Sequence, residues 1–140
     1  MARPTSFRLP EDLLSQLAEQ GAADGTSVAA LVMSILREGL RTRRFPGIVY
    51  RNGPTGRRAG LVGGPDVWEI IRTLNATPGE PESRVRALAE ELGIPVQGVR
   101  LAVDFFAAFP GEIEERMAAD ATAASRLREV IDRRERLLSP

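Results

Sequence analysis

The chain has 140 residues with 19 basic and 19 acidic side chains, so its formal net charge is zero. It has no cysteine and no histidine, and every basic residue is arginine. That composition excludes disulfides and thiolate chemistry and removes the commonest general base and metal ligand. It also leaves no lysine for a Ser–Lys dyad.

Thr5 to Leu9 alternate as a strand, with Thr5, Phe7 and Leu9 on one face and Pro4, Ser6 and Arg8 on the other. A single strand leaves half its backbone groups without partners. Pairing with the same strand of a second copy solves this and makes a two-stranded ribbon, which fits the DNA major groove. The expectation is therefore a homodimer joined through this strand and bound to DNA, with Ser6 and Arg8 offered to base edges.

Pro10 suits a first helical turn, and Glu11 and Asp12 follow where the helix dipole favours carboxylates. Leu13, Leu14, Leu17 and Ala18 form the inner stripe of this helix, and Gly21 to Gly25 are expected to break it. Thr26 or Ser27 caps a second helix carrying Val28, Leu31, Val32, Ile35, Leu36 and Leu40 at helical spacing. Arg37, Arg41, Arg43 and Arg44 crowd its end.

This order, with the signature Arg8-Leu9-Pro10-Glu11-Asp12-Leu13-Leu14 and then Gly25-Thr26-Ser27 before an apolar helix, resembles the ribbon-helix-helix family of Arc, MetJ and CopG-type repressors. The resemblance covers about residues 3–44. It implies that the outward strand residues, here Ser6 and Arg8, read bases. It also implies that the start of the second helix, at Ser27 and Val28, binds phosphate through backbone N–H groups, with Arg3 as a further phosphate contact.

Phe45-Pro46-Gly47 opens a new segment. Ile48–Arg51 and Arg57–Val62 read as a hairpin around Asn52-Gly53-Pro54-Thr55-Gly56. Asp66 caps a helix with the inner stripe Val67, Ile70, Ile71 and Leu74, and Trp68 beside it reads as a core or interface anchor. The glycines from Gly53 to Gly64 match no phosphate-binding loop and serve as turn residues. After a short linker, Arg84 to Val103 has the form of a helix-turn-helix, in which Ala89 is small at the crossing, Gly93 makes the turn and Val99 packs back. Two readings stay open for it: a second DNA-binding unit using Gln97 and Arg100, or a helical hairpin that only packs. Gly98 weakens the first.

Gly56-Arg57-Arg58-Ala59 through Pro65-Asp66-Val67-Trp68-Glu69-Ile70-Ile71, together with Leu88-Ala89-Glu90-Glu91-Leu92-Gly93-Ile94-Pro95 and the segment from Val99-Arg100 through Phe109-Pro110-Gly111-Glu112-Ile113 to Arg116, resembles a family of antitoxins with a domain of unknown function. This second resemblance covers about residues 46–120. It implies a toxin partner with a PIN-like nuclease fold.

From Gly111 one long helix is expected to run to about Leu138, with Met117, Ala124, Ile131 and Leu138 every seven residues. Asp120 and Arg134 interrupt the neighbouring row, so a self-sufficient coiled coil is not expected. Docking into another protein and folding back on its own domain both fit such a stripe. The antitoxin resemblance favours the toxin, with Ile113, Met117, Arg126, Leu127, Ile131 and Arg134 as contacts and an arginine among Arg126, Arg128, Arg133 and Arg134 facing its acidic metal site.

The sequence thus reads as mainly helical: a ribbon-helix-helix domain over 1–44, a β-hairpin and helix-turn-helix-like domain over 45–110, and a helical tail over 111–140. No cofactor, metal, small-molecule substrate, membrane contact or enzymatic activity is expected. Asp66 reads as a helix cap, and Glu69 and Asp104 as exposed face positions. A cytoplasmic protein is expected, because no apolar run approaches a membrane span and no signal peptide leads the chain. The leading function is an antitoxin that represses its own operon. The alternative is a stand-alone dimeric regulator without a toxin.

Overall fold

The computed structural model describes residues 1–54 and 56–139, and the described residues form six helices and one small antiparallel sheet. The chain divides into two compact units, Met1–Arg44 and Phe45–Pro140.

In the first unit, residues 1–10 belong to no helix or strand and are exposed. The expected strand over Thr5–Leu9 does not form within one chain. A strand needs a neighbour to accept its ladder, and the sheet among the described residues joins only two segments of the second unit. Helix α1 spans Glu11–Asp24, with Pro10 at the N-cap in extended conformation and the Leu14 amide donating to the Pro10 carbonyl at 3.0 Å. It runs through Gly21 and ends at Gly25, at the far end of the stretch Gly21 to Gly25 expected to break it. There the chain turns left-handed at φ 66°, the Gly25 amide donates to Ala22 O and the Thr26 amide to Gly21 O. This is a Schellman end. Gly21 is buried inside the helix because a Cβ there would stand 3.1 Å from Thr26 O. Ser27 then caps α2, Val28–Arg44, by accepting the Ala30 amide on its Oγ at 3.1 Å.

Only Leu17 and Leu31 are buried apolar side chains in this unit. Two such residues cannot offset the ordering of 31 helical residues, 14 in α1 and 17 in α2.

The second unit has its own core. Strands β1 (Ile48–Arg51) and β2 (Arg58–Leu61) pair antiparallel in the register Ile48↔Leu61 to Arg51↔Arg58. Of the turn between them, Thr55 lies outside the described residues, while Gly53 and Gly56 exchange backbone hydrogen bonds of 3.0 and 3.1 Å. Helix α3 (Val67–Ala76) buries Val67, Ile70 and Ile71. Helix α4 (Pro81–Leu92) starts with proline, which needs no amide partner, and ends at left-handed Gly93.

Helix α5 (Val96–Ala108) packs on α3, α4, α6 and β2 and fully buries Val99, Ala102 and Phe105. Gly98 lets it approach β2, since a Cβ there would meet the Leu61 side chain at 3.1 Å. Phe45 meets Phe105 and Phe109 edge-on around its end, and those two rings are tilted to each other, with ring centres 5.1–5.9 Å apart.

Phe109 and Pro110 turn the chain into α6 (Pro110–Leu138). The expected tail is one helix, yet it is not a separate body from its start. Ile113 is in the core and Met117 packs against it. From Ala121 to Ser139 every residue is exposed.

Candidate functional site

The candidate DNA-facing residues sit where the first unit is most open. Arg3, Ser6 and Arg8 are exposed in the irregular lead into α1. Ser27 and Val28 are exposed at the start of α2, whose first turn contains no acidic residue. The positive end of the α2 dipole is therefore uncompensated by side chains, which suits a phosphate oxygen. The Ser27 oxygen already accepts the Ala30 amide, so its hydroxyl proton and the adjacent amides are the groups to offer.

Around these polar positions lies an unusual amount of open apolar surface. Phe7 is 80 % exposed and Leu40 71 % exposed, and Leu13, Leu14, Val28, Ile35 and Leu36 all lie between 40 and 52 %. On α2 these residues continue from buried Leu31 around the helix, so the helix is apolar well beyond the face that α1 covers. Exposed apolar surface on this scale is uncommon on monomeric soluble proteins.

In the second unit, the helix pair α4–α5 has the features read from sequence: Ala89 and Val99 are buried and Gly93 is left-handed at φ 64°. Its second helix, however, is the central core helix of the unit. Gln97 and Arg100 are exposed on it, and the Arg100 guanidinium is paired with Glu82 of α4. A phosphate would have to compete with that carboxylate.

Sequence reading missed the charged centre of this unit. Asp66 is 4 % exposed. Its amide donates to Glu69 Oε2 at 3.1 Å, the reciprocal arm of a capping box, so the reading of Asp66 as a cap holds. Its carboxylate does more. Arg51 donates to Oδ1 at 2.6 Å, Arg58 pairs with Oδ2 and the Trp68 indole donates to Oδ2 at 3.2 Å. Both hairpin strands are thereby tied to the start of α3. The available signal was Arg51 and Arg58 falling opposite each other in the hairpin, which gathers two cations that need one buried anion. Trp68 acts as an anchor, with the Arg72 guanidinium 4.9 Å from its ring centre and Arg72 also donating to Asp120 of α6 at 3.2 Å. The cleft beside Trp68, Arg57 and Arg116 has a volume of 20 Å³, room for about one water. Among the described residues, no three carboxylates assemble into a metal-sized group.

The chain matches no model of a known protein family, no curated protein and no solved structure. Its function must be argued from these surfaces.

The tail residues separate into two groups. Ile113 is 3 % exposed and partly buried Met117 packs against the core, so both are used by their own domain. The reason is that the seven-residue repeat runs from a packed half into a free half on one helix face. Arg126, Leu127, Ile131 and Arg134 lie in the free half. No helix among the described residues is long and apolar enough to cross a membrane.

Proposed function

We propose that the chain is a dimeric DNA-binding regulator of ribbon-helix-helix type whose second unit binds a protein, and that it acts as the antitoxin of a toxin–antitoxin pair. In this reading residues 4–9 of two copies form an antiparallel ribbon. Phe7 and Leu9 close over the apolar surfaces of α1 and α2, while Ser6 and Arg8 enter the major groove. Arg3 and the α2 start at Ser27 and Val28 hold phosphates. The dimer represses its own operon, and the second unit occupies a PIN-like nuclease encoded beside it.

The observation that carries the reading is the mismatch inside the first unit. It holds two well-formed, capped helices, but only Leu17 and Leu31 are buried between them. A second copy supplies the missing core and pairs the extended lead at the same time. A stand-alone regulator is the second reading, favoured by the complete core of the second unit, which needs no partner for its own stability.

Binding of the full chain to its own promoter DNA tests the regulatory part. Arg8→Ala removes one bidentate base contact per copy, two per dimer, and should weaken specific binding by at least about 10- to 100-fold while leaving nonspecific binding nearly unchanged. Specific affinity that survives Arg8→Ala excludes the ribbon as the reader. Co-purification of the adjacent reading frame's product separates antitoxin from stand-alone regulator.

A further inference from the structure

The cleft beside Trp68 lies where the hairpin, α3 and α6 converge. Arg57 just before β2, Arg58 within it, Trp68 of α3, and Glu112 and Arg116 of α6 line it. The fold holds each guanidinium in place. Arg57 donates to Asn52 Oδ1 at 3.0 Å, and Arg116 donates to the Arg57 carbonyl at 3.0 Å. Arg58 is ion-paired with Asp66, and its Nη1 lies over Gly53 of the hairpin turn, where a Cβ would collide with it.

Positive charge is in excess here. Arg51 and Arg58 share the single carboxylate of Asp66. Within the lining the one carboxylate is Glu112, which also accepts the Tyr50 hydroxyl at 3.1 Å. Arg72 is paired with Asp120. Four guanidinium groups, of Arg51, Arg57, Arg58 and Arg116, thus gather around Asp66 and Glu112. One positive charge remains in excess even when Glu69, which accepts the Asp66 amide, is counted. The Arg58 Nε is buried and, among the described residues, has no aligned hydrogen-bond acceptor, so its Asp66 contact is an ion pair only. A partly buried excess of cations favours a further anion.

At 20 Å³ the cleft admits about one water or one oxygen atom. A base or a sugar is too large to enter. We propose that the cleft is a site for a phosphate group, which seats one oxygen beside Arg58 and Trp68 and meets Arg57 and Arg116 with the others. The lining supplies three guanidinium groups, and a phosphate offers enough oxygens to meet all three, whereas a carboxylate offers two. The site belongs to the second unit alone and depends on neither the dimer nor the toxin.

The test titrates the full chain with inorganic phosphate at constant ionic strength, with chloride and acetate as controls. The signal is the fluorescence of Trp68, the one tryptophan of the chain. The wild type should saturate with a dissociation constant on the order of 1 mM, and chloride should give no saturable change. Arg57→Gln with Arg116→Gln should weaken phosphate at least about tenfold. Glu112→Gln, which removes the competing charge and keeps an acceptor for Tyr50, should tighten it about three- to tenfold. A gain in affinity cannot come from unfolding, so this variant decides the matter if the double variant is unstable. Arg86→Gln, exposed on α4 and outside the lining, should leave the titration unchanged. The salt dependence of DNA binding by the full chain identifies the source of the phosphate. A slope of log K against log salt that falls by about one per copy in the double variant assigns the site to a nucleic-acid backbone. An unchanged slope, or no DNA binding, with the phosphate titration intact assigns it to a free phosphate or phosphomonoester. No saturable response to phosphate, an equal response to acetate, or a response that none of the cleft variants moves overturns the proposal.

Discussion

The two units use similar helices to opposite ends. The second packs twelve apolar residues into one cluster, from Ile48 of the hairpin to Ile113 of α6. The first buries only Leu17 and Leu31 over 44 residues, with its helix caps in good order. Local signals alone therefore suffice to form helices in both units, while tertiary stability is self-contained in only one. The open apolar face of the first unit is what the proposed dimer covers.

Phe105→Ala should sharpen this contrast most. It empties the centre of the second unit, where Phe105 is fully buried, and should destabilise that unit by about 3–5 kcal/mol. Urea unfolding followed by Trp68 fluorescence reads it directly. Equal loss in a probe placed in the first unit would break the comparison. Asp66→Ala comes next. It leaves Arg51 and Arg58, each about a third exposed or less, without their shared anion, and should cost about 3 kcal/mol in the same assay. Asp66→Asn, which keeps the shape and one acceptor, should cost less. The smallest effect belongs to Ser27→Ala, about 1 kcal/mol from loss of the α2 cap. Because Ser27 is in the first unit, it should appear in dimer stability and leave the Trp68 unfolding midpoint unmoved.

Much of the architecture was legible from spacing and caps. The second helix, the hairpin strands, the Asp66-started helix and the long tail helix follow from local chemistry and occur close to where it places them. What was not legible depends on neighbours. Glycine at position 21 reads as a breaker, and only the close approach of Thr26 O explains it as an interior residue. The helix-turn-helix form of α4–α5 left a recognition helix and a packing helix both open, with Gly98 against the first, and the contacts with α3, α6 and β2 make α5 the central core helix. The Asp66 centre depends on hairpin register, which brings Arg51 and Arg58 together from seven residues apart. On α6 a single repeat continues through packed and free halves, so sequence could not divide Met117 from Ile131.

The central claim is that the first unit completes its core with a second copy. Sedimentation of the full chain and of Ile35→Asp across nanomolar to micromolar concentration tests it most directly, since Ile35 is nearly half exposed within one chain. The account requires a dimer for the wild type and a dissociation constant raised on the order of 100-fold or more by the buried charge in the variant, with the second unit's unfolding unchanged. A wild-type chain that stays monomeric at micromolar concentration, or a dimer indifferent to Ile35→Asp, would contradict it.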